Sequence, residues 1–191
     1  MDANYWENRY RNGATGWDIG SPSTPLKEFI DTLTNQDIDI LIPGCGNAYE
    51  GSYLFQSGFR KVKILDYASD PLLEFRSKNP DFPQENLIHD DFFNHEGHYD
   101  LIIEQTFFCA LSPELRRAYA EKMERLLKPG GRLVGLLFNC SFEQEGPPFG
   151  GEESEYRQYF DKKFIIHKME ACYNSIAPRA GKELFINLIK P

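Results

Sequence analysis

The sequence is poor in the residues that staple, chelate or anchor a chain: among 191 residues there are 4 cysteines, 4 histidines, 3 methionines and 2 tryptophans. Cys45, Cys109, Cys140 and Cys172 are widely spread and form no C-x-x-C pair. That excludes a disulfide framework or a zinc site and predicts four reduced thiols. His95 and His98 share an acidic loop, but no cysteine or third histidine lies at ligand spacing, so no metal site is expected. No apolar run approaches the roughly 20 residues needed to span a bilayer. The opening Met1-Asp2-Ala3-Asn4-Tyr5 has neither a basic segment nor an apolar signal core, which predicts a cytoplasmic protein without a membrane partner. Cationic charge is also short, with 21 Lys+Arg against 29 Asp+Glu, a net charge of −8. An acidic chain without a basic stripe argues against nucleic acid as a partner. No repeat, low-complexity tract or linker divides the chain, so residues 1–191 read as one domain, expected as a monomer.

What is present is a globular composition, 41% apolar and 14% aromatic. Short β-like runs at Ile38–Ile42, Val62–Asp66, Asn86–Ile88, Tyr99–Glu104 and Arg132–Asn139 alternate with helical stretches at Tyr49–Gln56, Asp70–Lys78 and Pro113–Leu127. In the last of these, Ser112 stands at the cap position, Leu115, Tyr119, Met123, Leu126 and Leu127 form an apolar stripe, and Pro129-Gly130-Gly131 follows as a stop. Alternating strands and helices imply parallel pairing through right-handed crossovers. A further helical stretch, Glu152–Phe160, precedes two runs, Lys163–Met169 and Glu183–Ile189, with no convincing helix between them. These two should pair antiparallel. The expected fold is α/β: a Rossmann-like, doubly wound, seven-stranded and mostly parallel sheet with an antiparallel edge strand.

The first strand opens into Pro43-Gly44-Cys45-Gly46-Asn47, where two glycines let the backbone turn sharply and leave room for a ligand. Asp66 closes the second strand, where a carboxylate can accept both hydroxyls of a ribose. Asp91 and Phe92 follow the third, where an adenine would lie. The combination predicts an adenosine-containing cofactor. A dinucleotide fingerprint would need a third glycine three residues after Gly46, whereas the next is Gly51, and no basic residue stands in the loop to meet a phosphate. A sulfonium cofactor without phosphates fits better.

These residues, with several further stretches, resemble the thiopurine S-methyltransferase superfamily of class I S-adenosylmethionine-dependent enzymes, in its thiol and halide methyltransferase branch. The most specific match is Tyr5-Trp6-Glu7-Asn8-Arg9-Tyr10 continuing through Gly13–Pro22. Others are Leu41–Gly46, Asp91-Phe92-Phe93, Thr106–Leu111, Gly146–Phe149 and Pro178–Gly181. The resemblance implies that residues 1–25 form a lid over the cofactor, with Trp6, Tyr10 and Trp17 lining its pocket and Gly44 and Gly46 beneath the methionine portion. An aromatic face beside a sulfonium gains about 0.5–2 kcal/mol. It further implies ribose binding by Asp66 and adenine recognition by Asp91 with the Phe92 amide; Gln105 can hydrogen-bond a ligand through its own amide.

Two positions are departures: Ile42 stands where many methyltransferases carry an acid for the methionine amine, although the resembled family also tends to be apolar there, and Glu104-Gln105 replaces that family's usual Asp followed by Arg or Tyr. The acceptor pocket is expected to be apolar, drawing on Phe107, Phe108, Phe142, Phe149 and the prolines at 147 and 148, beneath a flap at 139–152. Arg179 can bind an acceptor anion or pair with Glu183. No residue reads as a general base, which suits a soft nucleophile such as a thiol, thiopurine, bisulfide or halide. No catalytic residue is therefore named. A catalytically weak cofactor-binding protein and an NAD-dependent oxidoreductase remain as alternatives.

Overall fold

The structure is a computed structural model that describes residues 2–191. Seven strands form one sheet: β1 (Ile40–Pro43), β2 (Val62–Asp66), β3 (Leu87–His89), β4 (Tyr99–Gln105), β5 (Leu127–Phe138), β6 (Ile165–Ala171) and β7 (Glu183–Ile189). Their order is β3-β2-β1-β4-β5-β7-β6. Strands β1 to β5 pair in parallel, and β7 runs antiparallel to both β5 and β6. The antiparallel strand therefore sits one place in from the edge, which β6 occupies. With no helix to carry the chain across the sheet, two consecutive strands can only return alongside each other.

Successive side chains of a strand face opposite ways, so the parallel strands supply both faces of the sheet. Ile40 and Ile42 of β1 point into one core with Leu26, Leu54 and Phe75, which belong to α2 (Thr24–Asp31), α3 (Tyr49–Gln56) and α4 (Ser69–Lys78). Leu41 points into the other, with Tyr119, Met123 and Leu126 of α5 (Arg116–Leu126) and Tyr156 and Phe160 of α6 (Glu153–Phe160). This two-sided wrapping is the doubly wound arrangement, and it leaves the carboxyl ends of β1, β2 and β4 as the open crevice.

Three local expectations change. The stretch beginning at Pro113 opens as a short 3₁₀ turn, Pro113–Leu115, and α5 starts only at Arg116. Ser112 stands at the cap position without a side-chain capping bond, and Leu115 is 40% exposed instead of joining the buried stripe. Pro129-Gly130-Gly131 lies inside β5 as an irregularity, the pairing jumping from Tyr99–Leu127 to Leu101–Arg132, while the helix has already ended at Leu126. Finally, the amino-terminal segment is helical: α1 (Ala3–Arg11) starts from Asp2, whose carboxylate accepts the Tyr5 amide at 2.9 Å. Among the described residues, no helix is long and apolar enough to cross a membrane.

Candidate active site

A cavity of about 600 Å³ opens at the carboxyl ends of the parallel strands. The turn after β1 forms its floor. Gly44 has φ +56, and a Cβ there would lie 2.2 Å from a ring carbon of Phe107. Gly46 has φ +50, and its Cβ would fall 2.8 Å from the Tyr10 hydroxyl. Neither position accepts a side chain. Asp66, at the end of β2, holds this turn: its carboxylate accepts the Gly46 amide and the Ala68 amide, each at 2.8 Å. Burial to 7% exposure raises its pKa, against the pull of these backbone amides. Asp91 is fixed similarly, accepting the Phe93 amide at 2.8 Å.

The segment ahead of α2 packs across this floor. Glu7 accepts a hydrogen bond from the Ser69 hydroxyl at 3.1 Å, and Arg11 pairs with Asp70 at 2.8 Å, tying α1 to the start of α4. Arg179 donates to the Trp17 carbonyl at 2.7 Å. Asp18 accepts from Asn47 Nδ2 at 2.5 Å and from the Tyr49 hydroxyl at 3.2 Å. The Ser23 amide donates to buried Glu50 at 2.9 Å. Trp17 meets Trp6 and Tyr10 edge-on, with ring centroids 5.6 and 5.7 Å away. Arg9 lies over the Trp17 ring at 5.1 Å. Burial raises the Tyr10 pKa strongly, as does nearby Asp66, so its phenol stays neutral.

On the far side, the end of β4 continues into a strained turn in which Thr106 has φ +58. Glu104, wholly buried, holds that turn by accepting the Phe107 and Phe108 amides at 3.0 Å each and the Tyr119 hydroxyl at 2.8 Å. Burial pushes its pKa up to about 7. It faces three donors and stands outside the cavity wall. Cys45 and Cys109 reach the wall, but burial raises both pKa values and keeps them as thiols; Cys109 donates to the Thr106 carbonyl at 3.3 Å.

Of the residues expected at the site, Trp6, Tyr10, Trp17, Gly44, Gly46, Asp66, Asp91, Phe92, Gln105, Phe107, Phe142 and Arg179 line this one cavity. Phe108 and Phe149 do not. Phe108 turns into the core against Tyr119 and Tyr156, with ring centroids 4.9 and 5.4 Å away. Phe149 falls just past the wall residues Pro147 and Pro148, its amide donating to the Cys109 carbonyl at 2.7 Å. Arg179 does pair with Glu183, at 3.4 Å, while also reaching the wall. Arg9, Asp18 and Asn47 line the cavity without having been singled out, although the first two sit inside the amino-terminal motif. Arg9 lies four residues after Tyr5, one helical turn on the same face, which was the available signal. His95 is buried and bonded to the Tyr99 hydroxyl at 2.7 Å. Among the described residues, no group of three or more potential ligands is placed to hold a metal ion.

Fold and family together define a class I S-adenosylmethionine-dependent methyltransferase. A solved 1,6-didemethyltoxoflavin-N1-methyltransferase of Burkholderia thailandensis, with S-adenosylhomocysteine bound, superposes with a TM-score of 0.79 at 16% identity, over 98% of this chain and 86% of that one. The chain belongs to the thiopurine S-methyltransferase family, whose model matches residues 1–185. It is 35% identical over 188 residues to a probable thiol methyltransferase 2 of Arabidopsis thaliana, covering 93% of this chain and 81% of that protein. It is 31% identical to thiocyanate methyltransferase 1 of Brassica oleracea, again over 93% and 81% of the two chains. A thiopurine S-methyltransferase of Pseudomonas aeruginosa is 25% identical over 89% and 87%.

Proposed function

We propose that the acceptor is a small soft nucleophile, foremost a thiol, and that residues 1–25 and 139–152 act as the covers of its two-part site. S-adenosylmethionine supplies a methyl group on a sulfonium, whose carbon–sulfur electron pair leaves with a neutral thioether. The residues present fit that cofactor: Gly44 and Gly46 let the turn after β1 close tightly against Phe107 and Tyr10 at the cavity floor, and two fixed carboxylates stand at the end of β2 and just after β3. Asp66 would hold the ribose hydroxyls, Asp91 with the Phe92 amide the adenine, and Trp6 and Tyr10 would cover the positive end. Trp17 is already stacked with Arg9, so its part is to orient that guanidinium.

The observation that carries the acceptor assignment is the make-up of the other wall. From Gln105 to Lys182 it presents aromatic rings, prolines, the Gln105 amide and the cations Arg179 and Lys182, but no carboxylate and no imidazole. Such a wall has no group to take a proton from an alcohol. It can receive an acceptor that arrives as an anion, as a few per cent of an ordinary thiol does at neutral pH. Residues here then need only align the nucleophile and exclude water, and alignment alone supplies several kcal/mol.

Incubation with S-adenosylmethionine and separate small thiols, a thiopurine, bisulfide, iodide, thiocyanate and a matched alcohol tests this. Methylated product is expected from the thiols and none from the alcohol. Tight cofactor binding without turnover on any acceptor would mark a binding protein instead. Binding of NAD with indifference to S-adenosylmethionine would point to an oxidoreductase.

A further inference from the structure

Three side chains at the cavity wall each bury a polar atom that has no hydrogen-bond partner: Arg9 Nε, Asn47 Oδ1 and Gln105 Nε2. A buried donor or acceptor left unmade costs about 1–3 kcal/mol, so three at one cavity point to a ligand that completes them. Two of them lie at the same end and have opposite sense. Arg9 sits over the Trp17 ring at 5.1 Å, and the next residue, Asp18, holds Asn47 through its Nδ2. A carboxylate can only accept here, which fixes the amide with Oδ1 turned the other way, as an acceptor.

Arg9 is uncommitted in a way the other wall guanidinium is not. Arg179 is paired with Glu183 and bonded to the Trp17 carbonyl. Among the described residues Arg9 makes no ion pair, and the one hydrogen bond of its side chain is a long 3.4 Å contact from Nη1 to the Tyr5 hydroxyl. The rings of Tyr5 and Trp17, 5.7 and 5.1 Å from its guanidinium carbon, hold it in place without neutralising it. A fixed, unpaired cation beside a lone amide acceptor matches a carboxylate beside an ammonium.

We propose that Arg9 and Asn47 clamp the zwitterionic α-amino-acid end of the bound ligand, Arg9 Nε donating to its carboxylate and Asn47 Oδ1 accepting from its ammonium. The clamp stands in for the carboxylate that Ile42 does not provide ahead of Gly44. It rests on the reading that this cavity holds S-adenosylmethionine.

Calorimetric titration of the full chain with S-adenosylhomocysteine and with 5′-methylthioadenosine, which lacks the amino-acid end, separates the two ideas. The Arg9→Met variant is expected to weaken S-adenosylhomocysteine about 10- to 100-fold, the worth of a charge-assisted bond, and to leave methylthioadenosine within about twofold. Arg9→Lys should recover part of the loss. Asn47→Ala should show the same selectivity with a smaller effect. Retained methylthioadenosine binding also reports an intact fold. Unchanged S-adenosylhomocysteine affinity in Arg9→Met, or equal loss for both ligands, would overturn the clamp. A wild-type chain that bound neither ligand would overturn the cofactor reading and the clamp with it.

Discussion

On the β1–β3 side of the cavity, polar side chains are held by backbone amides that the strands themselves position. Asp66 accepts from Gly46 and Ala68, and Asp91 accepts from Phe93. On the β4–β5 side the wall is aromatic and proline-rich, and its support lies behind it, in Glu104 and the amides that this buried carboxylate gathers. One half carries its chemistry at the surface of the wall, and the other carries it in the scaffold. The first half should therefore lose ligand affinity when altered, and the second should lose shape or acceptor preference.

The largest separation is expected from Asp66→Ala. Loss of a charge-assisted ribose contact should weaken S-adenosylhomocysteine by about 100-fold in calorimetry, with the acceptor KM at saturating cofactor changed little. An equal rise in both would dissolve the distinction between the halves.

Glu104→Ala should instead act on the scaffold. It strands two backbone amides and the Tyr119 hydroxyl in the core, an expected loss of about 2–4 kcal/mol in urea unfolding. The same group sets a pH dependence. Its pKa is raised from 4.5 to about 7 in the folded chain, so between those values the native state binds more protons than the unfolded one. Stability should fall as pH rises through that window, by about 1–3 kcal/mol, and level off above it. Burial raises the pKa values of Asp66 and Glu50 as well and adds to the same slope. Glu104→Gln should flatten the slope most; an unaltered slope would remove Glu104 as its source.

Smaller effects sharpen the boundary. Trp6→Ala should raise the cofactor Kd roughly 3- to 30-fold, from the lost aromatic face, with little change in Tm. Unfolding of this variant would make Trp6 an anchor of α1 instead. Phe142→Ala should raise the acceptor KM several-fold while sparing S-adenosylhomocysteine affinity, whereas Phe149→Ala should change neither, because only Phe142 reaches the wall.

The same contrast decides what is legible in the sequence. The β1–β3 half follows from local spacing: glycines after an apolar run, then an acid closing β2 and another just after β3, with Val62–Asp66 and Glu183–Ile189 as anticipated. The β4–β5 half depends on which of two adjacent phenylalanines turns inward. Phe107 faces the cavity and Phe108 the core because Thr106 adopts φ +58 under the hold of Glu104, a tertiary arrangement with no local signature. Helix α1 lacks a local signature for a related reason. α1 buries no residue fully and is fastened by Ser69 and Asp70, so it shows little of the apolar stripe that marks a helix. Arg9 is polar and uncommitted, which in sequence reads as a solvated surface.

The β4–β5 wall is proposed to align a soft nucleophile and to contribute no base. The pH profile of kcat/KM with two thiol acceptors of well-separated pKa tests this most directly. An ascending limb is expected, with a midpoint that moves with the acceptor's own pKa. A midpoint that stayed near 7 for both thiols, as titration of Glu104 or another protein group would give, would contradict it.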